Sequence, residues 1–221
     1  MHFMPSLCIA VPTLAYMFNG NAIASGSYVN TLTTFGTPTF TSSFSRAGEA
    51  AVFLSNPTSA SSASVNYYTV TTGYSYNAPL TLVAWLRCDL SYYMTVIGLR
   101  GTTVGQCAIQ IDVNTNGQLG AGFAAPSVWT ITLTTPVGAI VANQWFHVAV
   151  TISSSMVCRL YLNGISSTAG IGINTLTFYE VLVVGSSGDA TKGYNGYMDR
   201  VQMFNMVLSS SSVLAMVQGG K

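Results

Sequence analysis

Charge is what this chain has least of. Seven Lys or Arg and six Asp or Glu are spread over 221 residues, 6% of the chain, where an ordinary soluble domain carries roughly 25%. A formal net charge of +1 offers no field to gather nucleic acid or anionic lipid, so neither is expected as a partner. Acceptors for N-linked sugar are missing too: the one near match, Asn56-Pro57-Thr58, carries the forbidding proline. No apolar run approaches the roughly eighteen residues that span a bilayer. The apolar N-terminus lacks a basic leader, contains Pro5 and Pro12, and runs straight into a strand-like segment, so a cleaved secretory signal is not expected. Cys8, Cys88, Cys107 and Cys158 show neither CxxC nor zinc-type spacing and are read as buried thiols.

Catalytic side chains are equally sparse. Glycoside hydrolysis needs two carboxylates facing each other across the bond. Glu49 and Glu180 are the only glutamates, and Asp89, Asp112, Asp189 and Asp199 are scattered. With His2 and His147 the only histidines, no Ser-His-Asp or Cys-His arrangement is legible. The chain is therefore read as a non-enzyme.

What is present is a period of two. Apolar residues make up 49% of the chain, and much of the rest is Ser, Thr, Asn and Gly. In Gln106–Val113, Cys107, Ile109, Ile111 and Val113 fall on one face while Gln110 and Asp112 fall on the other, as in a half-buried antiparallel strand. Asn116-Gly117 follows, a type I′ hairpin signal, before Gln118–Phe123 returns. Val157–Leu162 and Asn163-Gly164 repeat that grammar. Further strands are predicted at 14–18, 50–54, 65–71, 80–88, 94–99, 128–133, 145–152, 181–185 and 196–204. Only the tail is helical in pattern, with Ser209–Ser212 placed to cap a short turn. Short strands separated by Gly, Asn, Ser and Pro imply an all-β sandwich or barrel in a single domain.

Four segments in order carry a resemblance to the laminin-G-like jelly rolls of the concanavalin-A-like lectin and glucanase superfamily. They are Leu14–Asn21 (LAYMFNGN), Thr81–Leu86 (TLVAWL), Asn143–Thr151 (NQWFHVAVT) with Arg159–Gly164 (RLYLNG), and Tyr194–Phe204 (YNGYMDRVQMF) leading to Leu208-Ser209. The resemblance implies a jelly-roll sandwich of two antiparallel sheets, one concave, with an arm at 1–10, the sandwich at 11–208 and a short helical turn and tail at 209–221. It leaves activity open, because the fold hosts lectins, adhesion modules, glucanases and passive structural parts.

Several residues stand out as candidates. Counted by twos, Asp199 points with Val201 and Met203 toward the core, where a carboxylate must be paired, hydrogen-bonded or metal-bound. The resemblance places a structural calcium there, with positions near Asn19 and Gly48 completing it; plain hydrogen bonding is the other reading. Asn19 stands where the family often has an acid, which removes one anionic ligand. Tyr67, Tyr68, Tyr74, Tyr76, Tyr92 and Tyr93 form a cluster suited to sugar stacking, to a protein interface, or simply to filling strands. The adjacent pairs should each send one ring to the surface. His147, with Trp145 and Trp85, is read as structural.

A surface so poor in charge has little to keep like molecules apart. The function expected from composition is thus a non-catalytic structural or interaction module, a packed subunit of a particle such as a viral capsid, with other subunits as its partners. A secreted or cell-surface lectin that takes glycans is the alternative, and a glucanase-type hydrolase a distant third. A virion or an extracellular surface assembly is the matching location.

Overall fold

The computed structural model of the protein describes residues 11–12, 14–18, 24–25, 32–44, 50–56, 66–71, 79–101, 107–125, 128–171, 181–187 and 192–219. Among them, two antiparallel sheets face each other. The nine-stranded sheet runs β14 (Ile165–Ile171), β13 (Val157–Leu162), β12 (Phe146–Ile152), β7 (Leu80–Cys88), β16 (Gly196–Phe204), β1 (Leu14–Tyr16) and β2 (Ala24–Ser25). Off this path, β5 (Ala51–Leu54) also pairs with β16, and β4 (Thr39–Thr41) pairs with β5. The seven-stranded sheet runs β11 (Val128–Thr134), β10 (Leu119–Ala125), β9 (Cys107–Val113), β8 (Met94–Arg100), β15 (Val181–Val184), β6 (Tyr67–Thr71) and β3 (Thr33–Phe35). This is a concanavalin-A-like sandwich.

Alternation builds the core. Leu82, Ala84 and Leu86 of β7 join Val148 and Val150 of β12 and Ile109, Ile111 and Val113 of β9 in one buried cluster between the sheets. Burying a Leu, Ile or Val contributes about 1.5–3 kcal/mol. The nine-stranded sheet is also covered on its outer face. There the helix α1 (Ser210–Gly219) lays Val213 on Val83, Ala149, Tyr161 and Phe204. Burial on both faces explains why β7 and β12 are apolar at nearly every position instead of alternating. Ser209 caps the helix: its Oγ accepts the Ser212 amide at 3.1 Å. The Thr81 hydroxyl donates to the Met206 carbonyl at 2.7 Å and accepts the Leu208 amide at 3.0 Å, pinning the tail to the sheet.

The two Asn-Gly hairpins differ. Asn163 and Gly164 both have positive φ, 52° and 81°, as a type I′ turn requires. In the β9–β10 loop only Gly117 does, at 71°, and its amide bonds to the Asn114 carbonyl at 3.1 Å. That loop is a turn over 114–117 ending on a left-handed glycine, not the two-residue turn its Asn-Gly suggests.

Asp199 corrects a second expectation. A bulge interrupts the β16–β7 register between Asp199 and Gln202, with Arg200 at φ 49°. Asp199 therefore lies opposite Trp85 and Met198 opposite Leu86. Met198, Val201 and Met203 face the inter-sheet core, whereas Asp199 sits with Trp85 on the outer side of its sheet. Its side chain is nonetheless only 1% exposed, with Arg200 Nε 3.8 Å from its carboxylate.

A clasp of side-chain amides joins the sheets. Asn56, 1% exposed, follows β5. Its Nδ2 donates to the carbonyls of Asn66 (3.0 Å) and Tyr194 (2.7 Å), and its Oδ1 accepts the Asn66 amide at 2.7 Å. Asn66 in turn donates to the Ser55 carbonyl and accepts the Thr37 amide. Asn56→Ala orphans three buried groups, so chemical denaturation should register a loss of about 3 kcal/mol with an unchanged slope. A loss below about 0.5 kcal/mol, the level of an ordinary surface substitution, contradicts that reading of the clasp.

Candidate functional site

The outer face of the seven-stranded sheet carries a depression of about 150 Å³ near the end where β9 turns into β10. Register assembles it. Thr95 lies opposite Asp112, Asp112 opposite Gly120, and Gly120 opposite Thr134. One step along, Gln110 faces Gly122 and Gly122 faces Thr132. Each of these polar residues alternates with a core residue, so all point away from the sandwich interior. The glycines provide a floor without side chains. A Cβ placed on Gly120 would meet only the Leu133 and Asp112 carbonyl oxygens, at 3.9 and 4.0 Å.

Asp112 is the anchor of the wall. Its Oδ1 accepts the Thr95 hydroxyl at 2.7 Å and Gln110 Nε2 at 2.7 Å, and its Oδ2 accepts the Tyr93 phenol. The same Gln110 nitrogen also donates to the Thr95 oxygen at 3.0 Å. Lys192, from the segment before β16, lies over the Tyr93 ring with Nζ 4.6 Å from its centroid. Around the rim, Asn114, Thr132 and Thr134 present polar groups to the depression. This mixture of donors and acceptors over a bare floor suits a hydroxyl-rich ligand.

Burial raises the Asp112 carboxyl above its ordinary value; bonds from Tyr93, Gln110 and Thr95 and the Lys192 charge pull it partly back. Burial also raises the Tyr93 phenol, with Asp112 adding to the effect.

The sequence candidates scatter. Tyr93 reaches the depression, while Tyr92 packs half-buried against the inter-sheet core. Tyr68 is 1% exposed, its ring 5.6 Å from that of Phe18. Tyr67 takes the opposite, outer face of β6 and stacks on Phe35. Burial raises the Tyr67 phenol, with Arg100 opposing. Tyr74 and Tyr76 lie outside the described residues, as do Asn19, Gly48, Cys8, Glu49, Glu180 and the arm at 1–10. Two of the three positions for calcium are thus outside the described residues, and the ion remains an expectation. His147 is 1% exposed and meets Trp85 edge-on at 5.2 Å. Trp145 donates from Nε1 to the Phe44 carbonyl at 3.1 Å. Cys88 and Cys158 are buried and free, both thiols pushed up to about 12 by burial; Cys107 lies in β9.

Asp112, Gln110, Thr95 and Lys192 were not singled out by sequence as a site. The available signal was the polar face of β9, opposite a core face.

The model of the concanavalin A-like lectin/glucanases superfamily matches residues 60–214. The chain belongs to that superfamily. A comparison with curated proteins finds no match. Among solved structures it resembles the receptor-binding domain of botulinum neurotoxin type G, at 12% identity and TM-score 0.71, over 95% of this chain and 51% of that one. A botulinum neurotoxin type C structure, described with cell entry dependent upon interaction with two ganglioside molecules, gives 14% identity and TM-score 0.72 over 94% and 51%. The binding domain of botulinum neurotoxin DC in complex with rat synaptotagmin II gives 12% and 0.72 over 95% and 52%. The chain spans about half the length of these solved structures, and at such identities the likeness is one of fold.

The raised carboxyl has a thermodynamic consequence. A group whose folded pKa lies above its unfolded value contributes stability that is present at low pH and lost as pH rises through the folded pKa. Asp112 should therefore make the protein less stable at neutral pH than near pH 4. Asp112→Asn, which keeps most of the hydrogen bonds, should flatten that component. Thermal melts of both proteins from pH 4 to 7 measure it; parallel curves contradict it.

Proposed function

We propose that the protein is a non-catalytic recognition module that binds a glycan in the depression on its seven-stranded sheet. The observation that carries this reading is the Asp112 cluster above the glycine floor. A sugar hydroxyl both donates and accepts. Asp112 offers a remaining acceptor site on Oδ2, Lys192 offers donors, and Asn114 offers both kinds. Tyr93 adds an apolar ring edge with a polar tip, the surface a sugar ring needs beside its hydroxyls. Catalysis is not proposed. Among the described residues, Asp112 is the only carboxylate lining the depression, and glycosidic cleavage needs a pair. The superfamily includes lectins by its own description, and one of the similar structures is described with gangliosides; both support a glycan as the ligand class.

A second reading, a packed subunit of a particle such as a capsid, is favoured by a different observation. Ile165 is 71% exposed, Val137 66% and Val141 54%, on a chain with 6% charged residues. The edge strands β14 and β11 carry no charged residue and no proline to guard their open backbone groups. Sedimentation at rising concentration tests it: self-association or copurification with a particle supports assembly, and a persistent monomer that copurifies with none removes it.

The glycan reading is tested on an array of neutral and acidic glycans with wild type and Gly120→Val. Valine suits a strand, and the nearest atoms leave room for it at its Cβ. The variant should melt within a few degrees of wild type yet lose at least about tenfold in affinity for every glycan that wild type retains. Retention of no glycan by wild type, or equal binding by the filled variant, overturns the proposal.

A further inference from the structure

The depression holds about 150 Å³, below the roughly 300–1,000 Å³ of sites that enclose a whole small ligand. It has room for one ring unit of something larger, and register shows in which direction the rest would extend. Tyr68 lies opposite Val184, and Val184 opposite Ile97. Tyr67 is thus one step further toward the same end of the sheet, level with the segment from which Thr95 and Asp112 project. Phe35 is directly opposite Tyr67 on the edge strand β3. Since Tyr68 is a core residue, Tyr67 and Phe35 stand on the same outer face as Asp112 and Gly120.

The two rings are parallel within 2°, with centroids 4.4 Å apart, and Phe35 is 40% exposed. They are also rigidly mounted. Tyr67 follows Asn66, which the Asn56 clasp holds, and Asn66 Oδ1 accepts the amide of Thr37 two residues beyond Phe35 at 2.6 Å. An aromatic pair fixed in advance and open to solvent is ready to receive a flat partner at little entropic cost. From β6 to β9 is three strand spacings, about 14 Å.

We propose that Phe35 and Tyr67 form a second subsite for the same ligand, and that this ligand is a linear, uncharged polysaccharide lying across the strands. The proposal rests on the glycan reading of the depression. A monosaccharide in the depression does not reach the rings, whereas a chain of repeating sugars does, stacking one ring on the pair and hydrogen-bonding another at Asp112. Charge points to a neutral polymer: Lys192 and Asp112 offset each other in the depression, and the whole chain carries +1, too little to collect a polyanion.

The experiment uses ladders of cello-, laminari-, malto-, manno- and xylo-oligosaccharides from one to six units, with an oligogalacturonate ladder as the charged counterpart, titrated calorimetrically. Wild type should gain at least about tenfold in affinity between the short and long members of one neutral ladder. Phe35→Ala with Tyr67→Ala should erase that gain while leaving the affinity for the shortest binding member unchanged. Phe35→Trp, which keeps an exposed ring, should preserve it, and a melt of each variant separates lost folding from lost binding. Binding without length dependence, or a length gain that survives the double alanine variant, overturns the second subsite and leaves the depression standing. Preference for the galacturonate ladder overturns the neutral polymer. Failure of wild type to bind any ladder, with no glycan retained on the array, removes both proposals together.

Discussion

The Asn56 side chain holds together what the hydrophobic core alone cannot align. Burial of apolar surface drives the two sheets together but has no direction, and many sliding offsets would bury similar area. Hydrogen bonds from one buried amide to Asn66 and Tyr194 select one offset. Asn56 leaves the nine-stranded sheet, Asn66 enters the seven-stranded sheet, and Tyr194 precedes the central strand β16. The proposed ligand face inherits this alignment. Tyr194 donates its amide to the Gly185 carbonyl at 2.9 Å, and Ser187 and Lys192 bond to each other across the intervening segment. Lys192 is thereby held over Tyr93, and Phe35 with Tyr67 is held at the other end of the same row.

Scarcity of charge shapes the chemistry that remains. Among the described residues, hydrogen bonds between neutral groups do much of the work that ion pairs do elsewhere: the Asn clasp, the Thr81 pin and the Thr95–Gln110 pair beside Asp112. Neutral networks have short reach, so they recognise by shape and by donor–acceptor match instead of attraction at a distance. Such a surface suits the proposed glycan ligand, because hydroxyl patterns differ in geometry and not in charge.

Much of the fold was legible because it depends on local alternation. Strands at 80–88 and 196–204 coincide with those predicted, and the Asn163-Gly164 turn has the geometry its residues demand. The short strands β2, β3 and β4 were not anticipated; they span only two or three residues, too few for a period to show. The direction of Asp199 was misread because alternation assumes an unbroken register, and the bulge at Arg200 adds the residue that reverses it. Apart from Tyr93, which the tyrosine cluster already marked, the site was illegible for a different reason. Tyr93, Asp112, Gly120, Thr134 and Lys192 meet only through the pairing of separate strands and one loop. No spacing along the chain encodes that meeting, and each residue alone looks like an ordinary solvent-facing position.

The place of β16 bears on how the molecule is made. This strand, residues 196–204, lies between β7 and β1 and also pairs with β5. Translation proceeds from the other end, so the centre of the nine-stranded sheet is the last of its strands to leave the ribosome. Until then β7 and β1 have backbone edges with no neighbour between them, and Leu82, Ala84 and Leu86 lack part of their cover. The nascent chain must wait in three unjoined pieces of this sheet: β7 with β12, β13 and β14, β1 with β2, and β5 with β4. Long-range closure of this type is slow and exposes sticky intermediates. An incomplete translation product that stops short of residue 196 has every other described strand of the sandwich and no strand to join the three pieces of this sheet.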